Sequence, residues 1–234
     1  MKFSEFKYER PNFDQYKATM TSLIDQFKVA SSASEQLNIV TEINETRNHI
    51  ETMATLASIR HSIDTRDEFY DAEQNYWDEY GPLYEEINSL FYDAVVSSPY
   101  RNELEEKLSK QFFTILDYRL KAFSPEIIAD LQEENKLSSQ YTKLLASAKI
   151  PFDGEERTLP GMGKYLLSED RNVREAASKA KYAFFEEHEA EIDEIYDQLV
   201  KVRTRIAKKL GFNNFVELGY VRMTRSDYNP EMVE

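Results

Sequence analysis

The chain has 234 residues, 41% of them hydrophobic and 13% aromatic, with no cysteine and a formal charge of −14 from 43 acidic and 29 basic residues. Such a composition supports a sizeable core in one large or two small domains, and it excludes a disordered chain, disulfides, thiolate metal sites and cysteine nucleophiles. The acidity argues against nucleic acid and anionic membranes as partners, and no stretch approaches the roughly 20 apolar residues that span a bilayer.

Only 6 Gly and 7 Pro interrupt the chain, which favours long helices over many short strands. The start, Lys2-Phe3-Ser4-Glu5-Phe6-Lys7, is charged and lacks the apolar run of a secretion signal, so a soluble cytoplasmic protein is expected. The first helical stripe is Phe13, Tyr16, Met20, Leu23, Ile24 and Phe27, in steps of three and four. Ser34 is the expected cap of a second helix that turns Leu37, Val40, Ile43, Ile50, Met53 and Ala57 inward.

A third stripe runs through Phe69, Ala72, Tyr76, Tyr80, Leu83, Ile87, Leu90 and Ala94, with Gly81-Pro82 in its middle. Its register continues across the proline, which reads as one kinked helix, with two abutting helices as the alternative. Ser98-Pro99 and Ser124-Pro125 each place a capping residue before a proline at the first helical position. The helices that follow should bury Leu104, Leu108, Phe112, Ile115 and Leu116, then Ile128, Leu131, Tyr141, Leu144 and Leu145.

Asp153-Gly154 between the short flanks Ile150–Phe152 and Glu155–Leu159 predicts a tight hairpin, and Pro160-Gly161-Met162-Gly163 makes a joint after it. From Asp170 one stripe then runs Val173, Ala177, Ala180, Phe184, His188, Ile192, Ile195, Leu199, Val202, Ile206 and Leu210, ending at Gly211. A helix over 170–210 would be roughly 60 Å long at about 1.5 Å per residue. The fold expected is therefore all-α, with one helix kinked near Gly81-Pro82, one very long helix near 170–210 and a single hairpin near 150–159. Residues 1–148 read as an N-terminal helical domain and 149–234 as a second, incomplete region. Asn229-Pro230-Glu231 is a capped helix start with under one turn behind it. It is either a frayed tail or the point where a longer protein continues.

Chemistry is hard to find. Of the three histidines, His188 begins an H-E-x-x-H pattern with Glu189, but position 192 is Ile, so the second ligand is missing. His188 lies in the apolar stripe and reads as a packed interface histidine. His49 and His61 read as surface or structural, and Glu186, Glu187, Glu189 and Glu191 as a solvated acidic face. No nucleophile elbow, phosphate loop or dinucleotide fingerprint occurs. No catalytic or metal residue is assigned, and substrate-binding residues are left open.

Several segments resemble one family. Ser168-Glu169-Asp170-Arg171-Asn172-Val173-Arg174-Glu175-Ala176 is similar to the D-R-x-V-R-x-A segment of oligoendopeptidase F and its thimet-like relatives. Ala207-Lys208-Lys209-Leu210-Gly211-Phe212-Asn213-Asn214-Phe215 resembles A-x-x-L-G-[FY]-x-N-[FY], and Met223-Thr224-Arg225-Ser226-Asp227-Tyr228 resembles M-x-R-x-[DE]-Y. The opening Phe6-Lys7-Tyr8-Glu9-Arg10-Pro11 and the segment Tyr80-Gly81-Pro82-Leu83 are similar to bacterial members.

The resemblance implies the N-terminal, channel-wall part of a zinc-dependent oligoendopeptidase that hydrolyses short unfolded peptides. In that family the H-E-x-x-H helix and a further Glu ligand lie beyond the last residue of this chain. The implied partners are the oligopeptide substrate and the missing C-terminal catalytic part. The chain alone should bind no catalytic zinc, cleave nothing and self-associate weakly. Asp170 would cap the long helix, while Arg171 and Arg174 would tie neighbouring elements together. The competing reading is a non-catalytic acidic helical scaffold, complete as written.

Overall fold

The computed structural model describes residues 2–234. Asn12, extended before the first stripe, accepts from the Gln15 amide at 2.9 Å and starts α1 (Phe13–Val29), which buries Tyr16, Met20, Leu23, Ile24 and Phe27. The cap of α2 (Ala33–Ile63) is Ser32, not the expected Ser34. Ser32 holds the extended conformation a cap needs and accepts from the Glu35 amide, while the Glu35 carboxylate reaches back to the Ser31 amide at 2.7 Å. Asp67 caps α3 (Glu68–Val96) with bonds from the Phe69 and Tyr70 amides. These three helices share the largest core, around Phe27, Ile43 and Phe91.

Pro82 lies inside α3, which continues through it as one helix. A proline has no N–H, so the acceptor one turn back, the Asp78 carbonyl, loses its helical donor. A side chain of α6 (Ile128–Ala146) supplies the replacement: Asn135 Nδ2 donates to Asp78 O at 3.1 Å, and beside it Gln132 Nε2 donates to Glu79 O at 2.8 Å. The sequence tolerates the break because a neighbouring helix repairs it.

The two serine-proline starts behave differently. Ser98 is buried; its hydroxyl donates to Gln36 Oε1 at 2.6 Å and accepts from the Tyr100 amide at 3.0 Å, opening a turn after which α4 (Arg101–Leu108) begins two residues beyond Pro99. No single helix carries the stripe from Leu104 to Leu116. Ser109, at φ 80°, separates α4 from α5 (Lys110–Lys121) and rotates the register, so that Phe113 is buried where Phe112 was expected. Ser124-Pro125 does open a 3-10 turn leading into α6, with Ser124 Oγ accepting from the Glu126 amide. There Ile127 rather than Ile128 is buried, and Tyr141 is exposed, as Phe69 and Leu90 are in α3.

The hairpin forms as expected. β1 (Ile150–Phe152) pairs antiparallel with β2 (Glu155–Arg157), Ile150 opposite Arg157, and Asp153 and Gly154 both take positive φ at the turn. It packs with α7 (Gly163–Leu166) and α8 (Arg171–Glu187) around Ile150, Met162 and Ala177. The long stripe is divided at one residue. His188, at φ −104° and ψ 13°, ends α8 and precedes α9 (Glu189–Lys209). The apolar period survives the division because each half covers a different core: α8 closes on the hairpin, and α9 lies along α6 around Ile127, Leu137, Val202 and Ile206. Gly211, at φ 84°, ends α9. Asn214 caps α10 (Phe215–Arg222), whose Leu218 enters the α6–α9 core, and Asn229 caps α11 (Pro230–Val233). Among the described residues no helix is long and apolar enough to cross a membrane.

Candidate functional site

The histidines occupy three separate places. His49 is exposed on α2. His61 is buried, and its Nε2 lies 3.2 Å from Asp71 Oδ1, which also pairs with Lys143. Asp71 is held below the ordinary aspartate value, first by the hydrogen bond from Lys143. His188 is half-buried, packs against the Phe184 ring at 4.6 Å and places Nδ1 3.4 Å from Glu191. One imidazole with one exposed carboxylate and Ile192 across the turn does not fit a catalytic zinc. No group of three His, Cys, Asp or Glu side chains able to hold a metal occurs among the described residues.

The opening segment that resembles the family is pinned to α3. Arg10 grips Glu73 through Nε at 2.9 Å and Nη2 at 2.6 Å, Tyr8 donates to the same carboxylate, and Trp77 Nε1 donates to Tyr8 Oη at 3.2 Å. Burial would raise the Glu73 carboxyl, but the bonds from Arg10 and Tyr8 outweigh it and keep it low. The Tyr8 phenol is pushed up, chiefly by burial. The Glu73 carboxylate is consumed within the fold by Arg10 and Tyr8, which makes the segment an anchor.

A second ionic assembly joins α6 to α9 and α10. Asp130 and Glu134 are buried carboxylates. Asp130 takes Arg205 Nε and Lys209 Nζ, each at 2.6 Å, and Glu134 takes Arg203 Nε at 2.7 Å and Arg222 Nη1 at 2.9 Å. The Arg203 and Arg222 guanidinium groups also face the Phe215 ring, at 5.4 and 5.7 Å. Neither carboxylate stood out in the sequence, where Arg205 and Lys209 read only as basic residues in the last turns of a helix. A signal was present, because Ile127, Asp130, Glu134 and Leu137 share one face of α6, so the carboxylates sit in phase with apolar residues.

This assembly fixes the element that presents an exposed candidate surface. After α10 the chain turns sharply at Thr224, φ 53°, and folds back on α5. Tyr118 Oη donates to Arg225 O at 3.3 Å and Gln111 Nε2 to Ser226 Oγ at 3.1 Å. Between them lies a cavity of about 370 Å³ walled by Tyr118, Tyr220, Val221 and Tyr228, with Arg225 and Asp227 beside it. Arg225 lies 5.1 Å from the Tyr228 ring centre. Aromatic walls with one cation, Arg225, and two acids, Glu217 and Asp227, suit an extended peptide, which offers apolar side chains and paired amide groups. On α8 and α9, Tyr182, Tyr196 and Val200 are also exposed. Asp170 caps α8 by accepting from the Asn172 amide at 2.8 Å. Arg174 Nη1 donates to the Ser168 and Glu169 carbonyls at 2.6 and 2.9 Å, whereas Arg171 is exposed.

Comparison with family models matches residues 3–123 to the peptidase M3 N-terminal domain. Among solved structures the chain is 55% identical to PZ peptidase A, solved with an inhibitor, with a TM-score of 0.96 over 99% of this chain and 41% of that one. It is 51% identical to an oligoendopeptidase F from Bacillus anthracis str. Ames, again with a TM-score of 0.96, over all of this chain and 43% of that one. An oligoendopeptidase-F from Enterococcus faecium shares the fold at 20% identity, with a TM-score of 0.60 over 94% of this chain and 48% of that one. The chain thus spans about two fifths of the length of the first two relatives. A comparison with curated proteins gave no match.

Proposed function

Since the chain belongs to the M3 peptidase family and carries its N-terminal domain, we propose that it forms one wall of the substrate channel in a zinc-dependent oligoendopeptidase. The observation that carries this reading is the whole-chain likeness, at 51–55% identity, to two solved peptidases of more than twice its length. In this reading zinc is held by the C-terminal portion, where it supplies an activated water for amide hydrolysis; no residue of this chain is a ligand. What the chain contributes is the surface around Tyr118, Tyr220 and Tyr228, held in place by the Asp130 and Glu134 ion pairs. Residues 1–148 are then the N-terminal helical domain and 149–234 the opening of the peptidase domain, joined through the shared core of α6, α9 and α10.

The chain alone is inactive in this account, and its exposed Tyr182, Tyr196 and Val200 favour weak self-association. A reducing cytoplasm suits a chain without cysteine. The substrates are short unfolded peptides, because a channel wall excludes folded ones. The test uses the chain continued by a C-terminal portion like that of its relatives. A quenched peptide of about ten residues should be cleaved, while the same sequence inside a stably folded host should be spared. Equal cleavage of both would overturn the channel reading.

A further inference from the structure

Four carboxylates are buried among the described residues: Glu73, Asp78, Asp130 and Glu134. Three of them sit on cations, Glu73 on Arg10, Asp130 on Arg205 and Lys209, and Glu134 on Arg203 and Arg222. Asp78 differs. It is 5% exposed, and its two oxygens accept only from neutral donors, Gln74 Nε2 at 2.8 Å and Ser139 Oγ at 2.6 Å. An anion taken out of water needs a compensating charge as well as hydrogen bonds, and no Lys, Arg or His of the described chain pairs with this one.

Asp78 borders a polar cavity of about 240 Å³ between α2, α3 and α6, shared with Gln74, Asn135, Ser139 and His61. Gln74 and Asn135 each spend an amide N–H on Asp78, Gln74 on its carboxylate and Asn135 on its main-chain oxygen. Their own carbonyl oxygens receive no hydrogen bond from the described residues. The cavity therefore gathers a carboxylate, two carboxamide oxygens and a serine hydroxyl, all hard oxygen donors. Sulfur is absent, and the one imidazole already engages Asp71 through Nε2.

We propose that this cavity is a binding site for a hard monovalent cation of the sodium and potassium class. Oxygen-only donors select hard ions over transition metals. One formal negative charge among neutral oxygens balances a single positive charge, and a divalent ion would want more carboxylates. The ion would complete the repair of α3 at Pro82 by joining the Asp78 carboxylate to the α6 side chains that already serve its carbonyl.

Thermal unfolding of the chain in potassium, sodium or choline chloride at equal ionic strength tests this, since equal ionic strength removes the general screening of an acidic protein. One alkali cation should raise the midpoint over choline by roughly 3–8 °C at about ten to one hundred times its dissociation constant. That difference should vanish in Asp78→Asn. Gln74→Glu, which adds a second carboxylate, should instead respond more to calcium than to potassium. Crystals soaked in rubidium or thallium salts should show anomalous density between Asp78, Gln74 and Asn135. Equal midpoints in all three chlorides without anomalous density would overturn the proposal. So would an alkali effect that persists in Asp78→Asn, or a wild-type response to calcium alone.

Discussion

Asn135 Nδ2 donates to the Asp78 carbonyl oxygen at 3.1 Å, the acceptor that Pro82 leaves without a helical donor. Pro82 in α3 and the position of α6 are therefore coupled. Asn135→Leu strands a carbonyl away from water and should cost about 1–3 kcal/mol in urea unfolding. In a Pro82→Ala background, where a helical N–H becomes available, the same substitution should cost clearly less. Additive costs in that double-mutant cycle would refute the coupling.

Asp130 makes stability depend on pH in a definite direction. Burial alone would raise its carboxyl; the bonds from Lys209 and Arg205 outweigh burial and hold it below the ordinary value. A carboxylate lowered in the folded state contributes stability that is full above the unfolded value, about 3.9, and is lost as pH falls through the folded value. Unfolding free energy should thus drop below about pH 4, and Asp130→Asn should flatten that drop. Near neutral pH the substitution should cost about 1–2 kcal/mol, at the low end because both cations are roughly two fifths exposed and solvent-screened. An unchanged acid slope would contradict the assignment.

Ser109 stands at φ 80° and ψ 153°, a region that glycine occupies almost alone. Its hydroxyl caps α5 by accepting from the Phe112 amide at 3.3 Å. Ser109→Gly loses a cap, which costs a few tenths of a kcal/mol, but relieves strain of roughly 1–3 kcal/mol. The variant should be more stable by about 1 kcal/mol in chemical denaturation, and a less stable one would show that the cap outweighs the strain.

Arg174 holds the turn before α8 through the Ser168 and Glu169 carbonyls. Arg174→Glu should lower stability by about 1–3 kcal/mol by removing both of these hydrogen bonds and adding repulsion near Glu169. Peptide affinity of the continued enzyme, measured on the fraction that stays folded, should be unchanged. Unchanged stability with lost affinity would instead make Arg174 a substrate contact.

Much of the fold was legible because local chemistry and tertiary packing agree. Tyr16, Met20, Leu23, Ile24 and Phe27 form a helical stripe and are all buried, while Asp170, Gly211 and Asn229 mark helix ends where they were expected. Reading failed where long-range contacts decide. His188 divides a stripe whose period never falters, because two cores rather than one receive it. Ser109 has no turn signature, so its break in register was invisible and Phe113 was passed over for Phe112. The candidate site was less legible than the fold. Asp78, Asp130 and Glu134 look like surface carboxylates until their partners, far away in sequence, are brought beside them. Phasing α6 on Ile127 instead of Ile128 would have put Asp130 and Glu134 on the buried face.

We propose that this chain is the non-catalytic wall of a zinc peptidase. The most direct measurement is zinc per molecule together with cleavage of a quenched fluorogenic peptide, for the chain alone and for the chain continued by the C-terminal portion its relatives carry. The account predicts about one zinc and cleavage in the continued protein, and neither in the chain alone. Cleavage by the chain alone, or a folded continued protein with neither zinc nor activity, would contradict it.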